Sequence, residues 1–172
     1  MIVAGVSGVG TTTIAARIGE RLALPHVEID ALHHGPGWVP REEFAADVDA
    51  FSAAPRWVTE WQYPSARPVL AARADTLVWL DLPTPLVMAR VVRRTVTRRV
   101  RDVELWNGNH EPPLRTFLTD DDHIVRWAWR IRHLYRDLVP ATLAEQPRLR
   151  LVHLRSRGDV RRWLATLEHP AD

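Results

Sequence analysis

Three of the chain's eight glycines fall within six residues, at Gly5, Gly8 and Gly10. The apolar run Ile2-Val3-Ala4 precedes them, and Thr11-Thr12-Thr13 follows, with apolar residues at 14, 15, 18 and 22. A short apolar run ending in glycine reads as a buried strand, and the helical spacing behind it reads as one face of a helix. Strand, glycine turn and helix in that order open a β-α unit. They make a layered sheet-and-helix fold the first expectation.

The turn also comes close to the phosphate-loop pattern G-x-x-x-x-G-K-[ST]. Gly5, Gly10 and Thr12 fit it, while Thr11 stands at the lysine position. Without the lysine the pattern is a weak signal on its own. Its setting between a strand and a helix favours a phosphate loop over an ordinary glycine-rich turn. Glycines let successive N–H groups converge on an anion, and the helix beginning near Thr11 adds its positive end. Gly5, Ser7, Gly8, Val9, Gly10, Thr11, Thr12 and Thr13 are therefore the candidate phosphate-binding residues, and Thr12 keeps a hydroxyl suited to Mg²⁺.

At 172 residues, nearly half of them apolar, the chain is expected to form a single domain, 1–172, with a real core. It has no cysteine, which excludes disulfides, thiolate metal sites and a cysteine nucleophile. No apolar run is long enough to span a bilayer. The opening apolar stretch lacks a basic flank, so a secretory leader is not expected and the cytoplasm is the default location. The pI near 9.9 suggests nucleic acid at first sight. However, the net charge is only +2, and every one of the 23 basic residues is arginine. Almost nothing titrates between about pH 8 and 10, so the high pI reflects missing titrants rather than a strong positive field.

Further along, His26 to Asp30 reads as a second strand, with Glu28 and Asp30 on one face at its carboxyl end. Acids there face the ligand crevice of an open sheet, or simply cap a solvated strand end. For Glu28 the solvated reading is favoured; for Asp30 both stay open. Residues 31–40 form a turn-rich loop in which the adjacent His33 and His34 are poorly placed to share a metal. Pro40 is expected to open a helix bearing Phe44, Val48 and Phe51 on one face. Residues 56–60 read as a third strand closed by Glu60, residues 65–73 as a short helix, and 76–81 as the clearest strand. Strands alternating with helices from the outset argue a parallel sheet with right-handed crossovers.

A long helix is expected from Pro85 to about Val103. It carries Arg90, Arg93, Arg94, Arg98, Arg99 and Arg101, with Val92, Val96 and Val100 along another side. That local excess of arginine suits the gripping of phosphates. Residues 105–113 form an irregular loop, a candidate lid or hinge. Thr119 or Asp120 is expected to cap one further helix with Ile124, Trp127, Ala128, Ile131, Leu134, Tyr135 and Leu138 on its apolar face. A last strand at 149–154 and a helix from Asp159 to Leu167 complete the chain, with Arg157 just ahead of that helix.

The order of these parts resembles the P-loop kinases of the adenylate and shikimate kinase group, and more narrowly the bacterial DNA topology modulation proteins. The residues that carry the resemblance run nearly end to end. They include Gly5 to Thr12, Leu24-Pro25-His26 through Asp30, Ala31-Leu32-His33 with Gly35-Pro36, Trp38 and Pro40, Trp57-Val58, Tyr63, Ala74 through Pro83, and Glu104 to Asn109. The resemblance implies a three-layer α/β/α P-loop NTPase fold with a parallel five-stranded sheet and a helical lid, here at about 98–122. It also implies ATP or GTP in the loop, Mg²⁺ near Thr12 and Glu60, and an unidentified small acceptor. Two departures fall in the expected site. Thr11 replaces the family's lysine, and Trp61-Gln62-Tyr63 replaces a Gly-Asn-Tyr turn after the third strand's acid, placing an indole where glycine left space.

The leading expectation is a phosphotransferase in which Asp30, Glu60, Arg94 and Arg98 are catalytic, while residues 5–13 and Arg157 hold the nucleotide. Loss of the lysine weakens catalysis in that reading. The alternative is a catalytically inactive nucleotide-binding sensor or partner-binding pseudokinase. Nucleic acid has only the arginine helix in its favour, since bases need exposed aromatic platforms. No membrane partner is expected.

Overall fold

The computed structural model describes residues 1–110 and 123–167. Five strands and eight α-helices alternate along the described chain. They run β1 (Ile2–Ala4), α1 (Thr11–Leu22), β2 (His26–Val27), α2 (Ile29–His33), α3 (Phe44–Ser52), β3 (Val58–Glu60) and α4 (Arg67–Arg73). Then follow β4 (Thr76–Leu80), α5 (Thr84–Val100), α6 (Ile124–Arg130), α7 (Leu134–Glu145), β5 (Arg150–Leu154) and α8 (Arg157–Thr166).

The strands form one parallel sheet in the order β2-β3-β1-β4-β5, with Ile2 opposite both Thr59 and Leu77. Successive side chains of a strand point to opposite faces, and the core divides accordingly. Ile2, Ala4, Leu77 and Trp79 pack with residues of α2, α3, α4 and α7. Val3, Val78 and Leu80 pack with α1, α5, α6 and α8. The result is a three-layer α/β/α sandwich, as the resemblance implies. β1 sits at the centre. Its connection leaves toward β2 and β3, whereas that of β4 leaves toward β5, and this divergence opens a crevice at the strands' carboxyl ends.

Several local expectations are corrected. The second strand stops at Val27, and Ile29–His33 is a short helix, so Asp30 stands on helix α2 and not on a strand end. Pro40 opens no helix. It pairs in an antiparallel bridge with His34, and α3 begins at Phe44. The buried face of α5 is Val87, Val91 and Thr95, while Val92, Val96 and Val100 are exposed. The single helix expected before β5 is two helices, α6 and α7, broken at 131–133. The caps foreseen at Thr119 or Asp120 lie outside the described residues. In the structure His123 caps α6, its Nδ1 accepting from the Val125 N–H at 3.3 Å.

Candidate functional site

Between β1 and α1 the chain turns with the Val9 N–H donating to the Val6 carbonyl at 3.1 Å. Gly8 has φ +82°, and a Cβ there would lie 2.2 Å from Val91 Cγ2, so both its backbone angle and its contact with α5 exclude a side chain. Gly10, with φ +106°, precedes α1, and no side chain caps the helix. The leading N–H groups of a helix have no partner within it. Those of α1 open into a cleft of about 1090 Å³ whose wall includes Gly8, Val9, Gly10, Thr11, Thr12 and Thr13. Ligand pockets usually span about 300–1,000 Å³, so there is room for more than one small molecule.

Eight arginines face this cleft. They are Arg17 from α1, Arg90, Arg93, Arg94, Arg98 and Arg101 from the α5 region, and Arg157 and Arg161 from α8. Only two carboxylates, Glu28 and Asp30, oppose them on the wall. Two of the arginines reach the glycine turn itself. Arg90 Nη1 donates to the Val9 carbonyl at 2.9 Å, and Arg94 Nη2 donates to Ser7 Oγ at 3.3 Å. Burial, and then the neighbouring Arg157 and Arg93, pull the Arg90 pKa below its ordinary value. Cations crowded this closely raise the local potential and favour a polyanion. Arg157 is placed by the start of α8, where Ser156 Oγ accepts from the Asp159 N–H at 3.0 Å while an Asp159 oxygen accepts from the Arg155 N–H at 3.1 Å. This reciprocal cap fixes the first turn of the helix. Arg99 is not on the cleft wall and lies 3.7 Å from Asp102.

The acidic end of the cleft is more tightly bonded. Tyr63 donates its hydroxyl to Asp30 Oδ1 at 2.5 Å and lies 3.0 Å from His34 Nε2. Desolvation raises the Asp30 pKa, with the Tyr63 hydrogen bond working against it; Glu60 adds to the rise, and His34 and Arg94 oppose it. Burial likewise raises Glu28, against a hydrogen bond from Trp106.

Glu60 lies apart from the cleft wall and is only 1% exposed. Its Oε1 is 3.0 Å from His26 Nε2, and its Oε2 accepts from the Ile29 N–H at 3.1 Å, so it ties β3 to β2 and α2. The metal role expected of it finds no support in this geometry. Trp61 is also in the core, donating to the Arg67 carbonyl at 3.1 Å and packing beside Tyr135. It does not fill ligand space. Neither Gly5 nor Ser7 is on the cleft wall, and a Cβ on Gly5 would meet Val9 Cγ1 at 2.6 Å.

The segment after α5 folds over this end. Asn109, 4% exposed, accepts from the Trp38 N–H at 2.9 Å and donates to the carbonyls of Gly35 at 2.9 Å and Trp106 at 2.8 Å. Asn107 donates to the His34 carbonyl. Trp106 stacks on His34 and lines the cleft. The fold thus brings together Thr11 to Thr13, Asp30, Arg94, Arg98 and Arg157, and leaves Glu60 outside. Glu28, Arg17, Arg161 and Trp106 are cleft residues that the sequence reading did not assign to the site. The even spacing of Glu28 and Asp30 was the available signal for Glu28. Among the described residues no group of three or more His, Asp or Glu converges as a metal site, and no helix is long and apolar enough to cross a membrane.

No protein-family profile matches the chain, and no curated protein matches it. Among solved structures, a gluconokinase from Sinorhizobium meliloti 1021 is similar at 21% identity and a TM-score of 0.53, over 96% of this chain and 89% of that one. An unliganded sugar kinase from Janibacter sp. HTCC2649 is 20% identical with a TM-score of 0.47, covering 98% of this chain and 94% of the other. A shikimate kinase from Acinetobacter baumannii, solved with shikimate, is 19% identical with a TM-score of 0.44, covering 84% and 93%. The gluconokinase match establishes a shared fold.

Proposed function

We propose that the chain is a P-loop phosphotransferase that binds ATP or GTP and moves the γ-phosphoryl group to a small acceptor, slowly for its class because Thr11 stands at the lysine position. One observation carries this reading: the uncapped start of α1, shaped by left-handed Gly8 and Gly10, opens into a cleft lined by eight arginines. A triphosphate is the kind of anion that such a seat fits, since converging amides and guanidinium groups both donate to phosphate oxygens. The amides of Gly8 to Thr13 would hold the β- and γ-phosphates, with Arg90 and Arg157 beside them. Arg90 and Arg94, already bonded to the turn, supply positive charge where the lysine is lacking.

Mg²⁺ fits the site as well. It is commonly held by few protein groups, several waters and the substrate's phosphates, and Thr12 offers a half-buried hydroxyl on the cleft wall. Bound there, it would neutralise charge on the phosphates. Asp30 would serve the acceptor, and Arg94 and Arg98, which line the same cleft, would steady the transferring group. The domain is read as one unit, residues 1–172, with about 98–122 as its lid, of which 111–122 lie outside the described residues; the hydrogen bonds of Asn107 with His34 and of Asn109 with Trp38, just after α2, support that reading. The resemblance to the DNA topology modulation proteins supports the same assignment and a cytoplasmic place, where nucleotides are found.

Calorimetric titration with Mg²⁺-ATP and with Mg²⁺-GTP tests the proposal. One-site binding of at least one of them is expected, and no heat from either refutes it. Binding with no turnover, unchanged in Thr11→Lys, would favour the inactive nucleotide sensor instead.

A further inference from the structure

The hydrogen bonds around Asp30 have a fixed direction. The Tyr63 hydroxyl donates to Asp30 Oδ1, an arrangement that suits an ionised carboxylate, which only accepts. Tyr63 Oη, having given its one proton, accepts from His34 Nε2–H at 3.0 Å. That tautomer leaves His34 Nδ1 bare, facing His33 Nδ1 at 3.5 Å. Ring packing holds the chain in place. His33 stacks on Tyr63 with centroids 3.8 Å apart, and Trp38 and Trp106 pack on His34.

The backbone is strained at the same place. Five described residues other than glycine have positive φ, and three of them, Trp38 (63°), Tyr63 (57°) and Asn107 (57°), border this cluster. Such conformations cost free energy and persist where the surroundings over-determine them, often at functional sites. The stack on His33 and the bond to Asp30 hold Tyr63 in this conformation.

We propose that Tyr63, backed by His34, is a positioning residue that keeps Asp30 ionised with Oδ2 turned to an acceptor hydroxyl, so that the acceptor reacts through an alcohol oxygen and not through a phosphate oxygen. The inference rests on the reading above that the cleft holds a nucleoside triphosphate. Two carboxylates, Glu28 and Asp30, line the acceptor end. They would repel a phosphate oxygen acting as nucleophile, and a phosphate needs no base at neutral pH. A neutral hydroxyl needs one. In the step, Asp30 Oδ2 takes the hydroxyl proton and the acceptor oxygen's electron pair forms a bond to the γ-phosphorus. The bond from that phosphorus to the β,γ-bridging oxygen breaks, and its pair leaves with the nucleoside diphosphate. The groups that face Asp30 are Tyr63, Glu60, Glu28, Arg94 and His34. Burial and the two acids favour its neutral form, so the hydroxyl of Tyr63, His34 and Arg94 must oppose them.

The test follows the Asp30 carboxyl carbon by ¹³C NMR through a pH titration of the whole protein. Tyr63→Phe keeps the stacked ring and removes only the hydroxyl, and is expected to move the titration up by about one to two pH units. His34→Gln, which retains an N–H in reach of Tyr63, is expected to move it less than His34→Leu. An unmoved titration in Tyr63→Phe overturns the proposal, whether or not nucleotide binds. In parallel, protein with Mg²⁺-ATP is offered a pool of neutral polyols and sugar acids, or a pool of nucleoside monophosphates, and the products are read by ³¹P NMR. A phosphate ester is expected and a new phosphoanhydride overturns the alcohol assignment. Transfer to neither pool also overturns the alcohol assignment, and the titration then reads the Tyr63–Asp30 coupling alone. Absence of nucleotide binding by calorimetry marks a failure of the proposed function and leaves the Tyr63–Asp30 result to be read separately.

Discussion

Gly8→Ala is the sharpest perturbation of the turn. The position has φ +82°, where a residue with a Cβ pays roughly 1–2 kcal/mol. The added methyl would also lie 2.2 Å from Val91 Cγ2, and Val91 is fully buried on α5. Relieving such a clash in a packed core costs about 1–3 kcal/mol. Together they predict a loss of about 2–5 kcal/mol, read as a lower urea midpoint at unchanged slope. Nucleotide binding should weaken in parallel, because the turn must shift to admit the methyl. The double variant Gly8→Ala/Val91→Ala separates the two causes: it removes the clash and leaves the φ penalty. The pair should therefore be non-additive by about 1 kcal/mol or more. A Gly8→Ala protein within about 0.5 kcal/mol of the parent, with strictly additive behaviour in the double variant, would refute the reasoning.

Other predictions concern the rest of the site. Thr11→Lys should raise phosphotransfer or ATP hydrolysis by roughly tenfold to a few hundredfold, measured as steady-state turnover, since one charge-assisted contact is worth about 1.5–3 kcal/mol. Asp30→Asn should raise the melting temperature at neutral pH while abolishing turnover. The Asp30 pKa is raised on folding, so its stabilising contribution is whole below the unfolded value and is lost as pH climbs through the folded one. The advantage of the variant should therefore shrink as the pH is lowered toward the ordinary carboxylate range. Asn109→Ala strands the Trp38 N–H and the Gly35 carbonyl, and should cost about 1–3 kcal/mol and speed limited proteolysis near Leu105–His110.

Much of the architecture was legible because the sequence repeats a simple logic. Short apolar runs ending in glycine or acid became β1, β3 and β4, and the parallel order followed from their alternation with helices. The glycine turn was legible for the same reason: its residue types permit little else. The acids were harder. Glu28, Asp30 and Glu60 look alike as acids near strand ends, yet only the first two reach the cleft. Glu60 is captured by His26 and by the Ile29 N–H, a pairing set by the β2–β3 register and by a helix beginning one residue after Glu28. Periodicity over so short a segment does not distinguish His26–Asp30 as one strand from a two-residue strand followed by a helical turn. Trp61 misled through size: an indole beside the expected site suggested obstruction, but it turns into the core toward Tyr135. The valines of α5 misled through spacing, since two apolar stripes are present and only that of Val87 and Val91 is buried.

The account depends on a seat for polyphosphate made by main-chain amides at the start of α1, without a lysine. The backbone amide resonances of Gly8, Gly10, Thr11, Thr12 and Thr13, followed by ¹⁵N NMR during titration with Mg²⁺-ATP, report on that seat directly. The account predicts that these five shift together and saturably, and more than amides on the far face of the sheet. Saturable binding that leaves all five unmoved would contradict it.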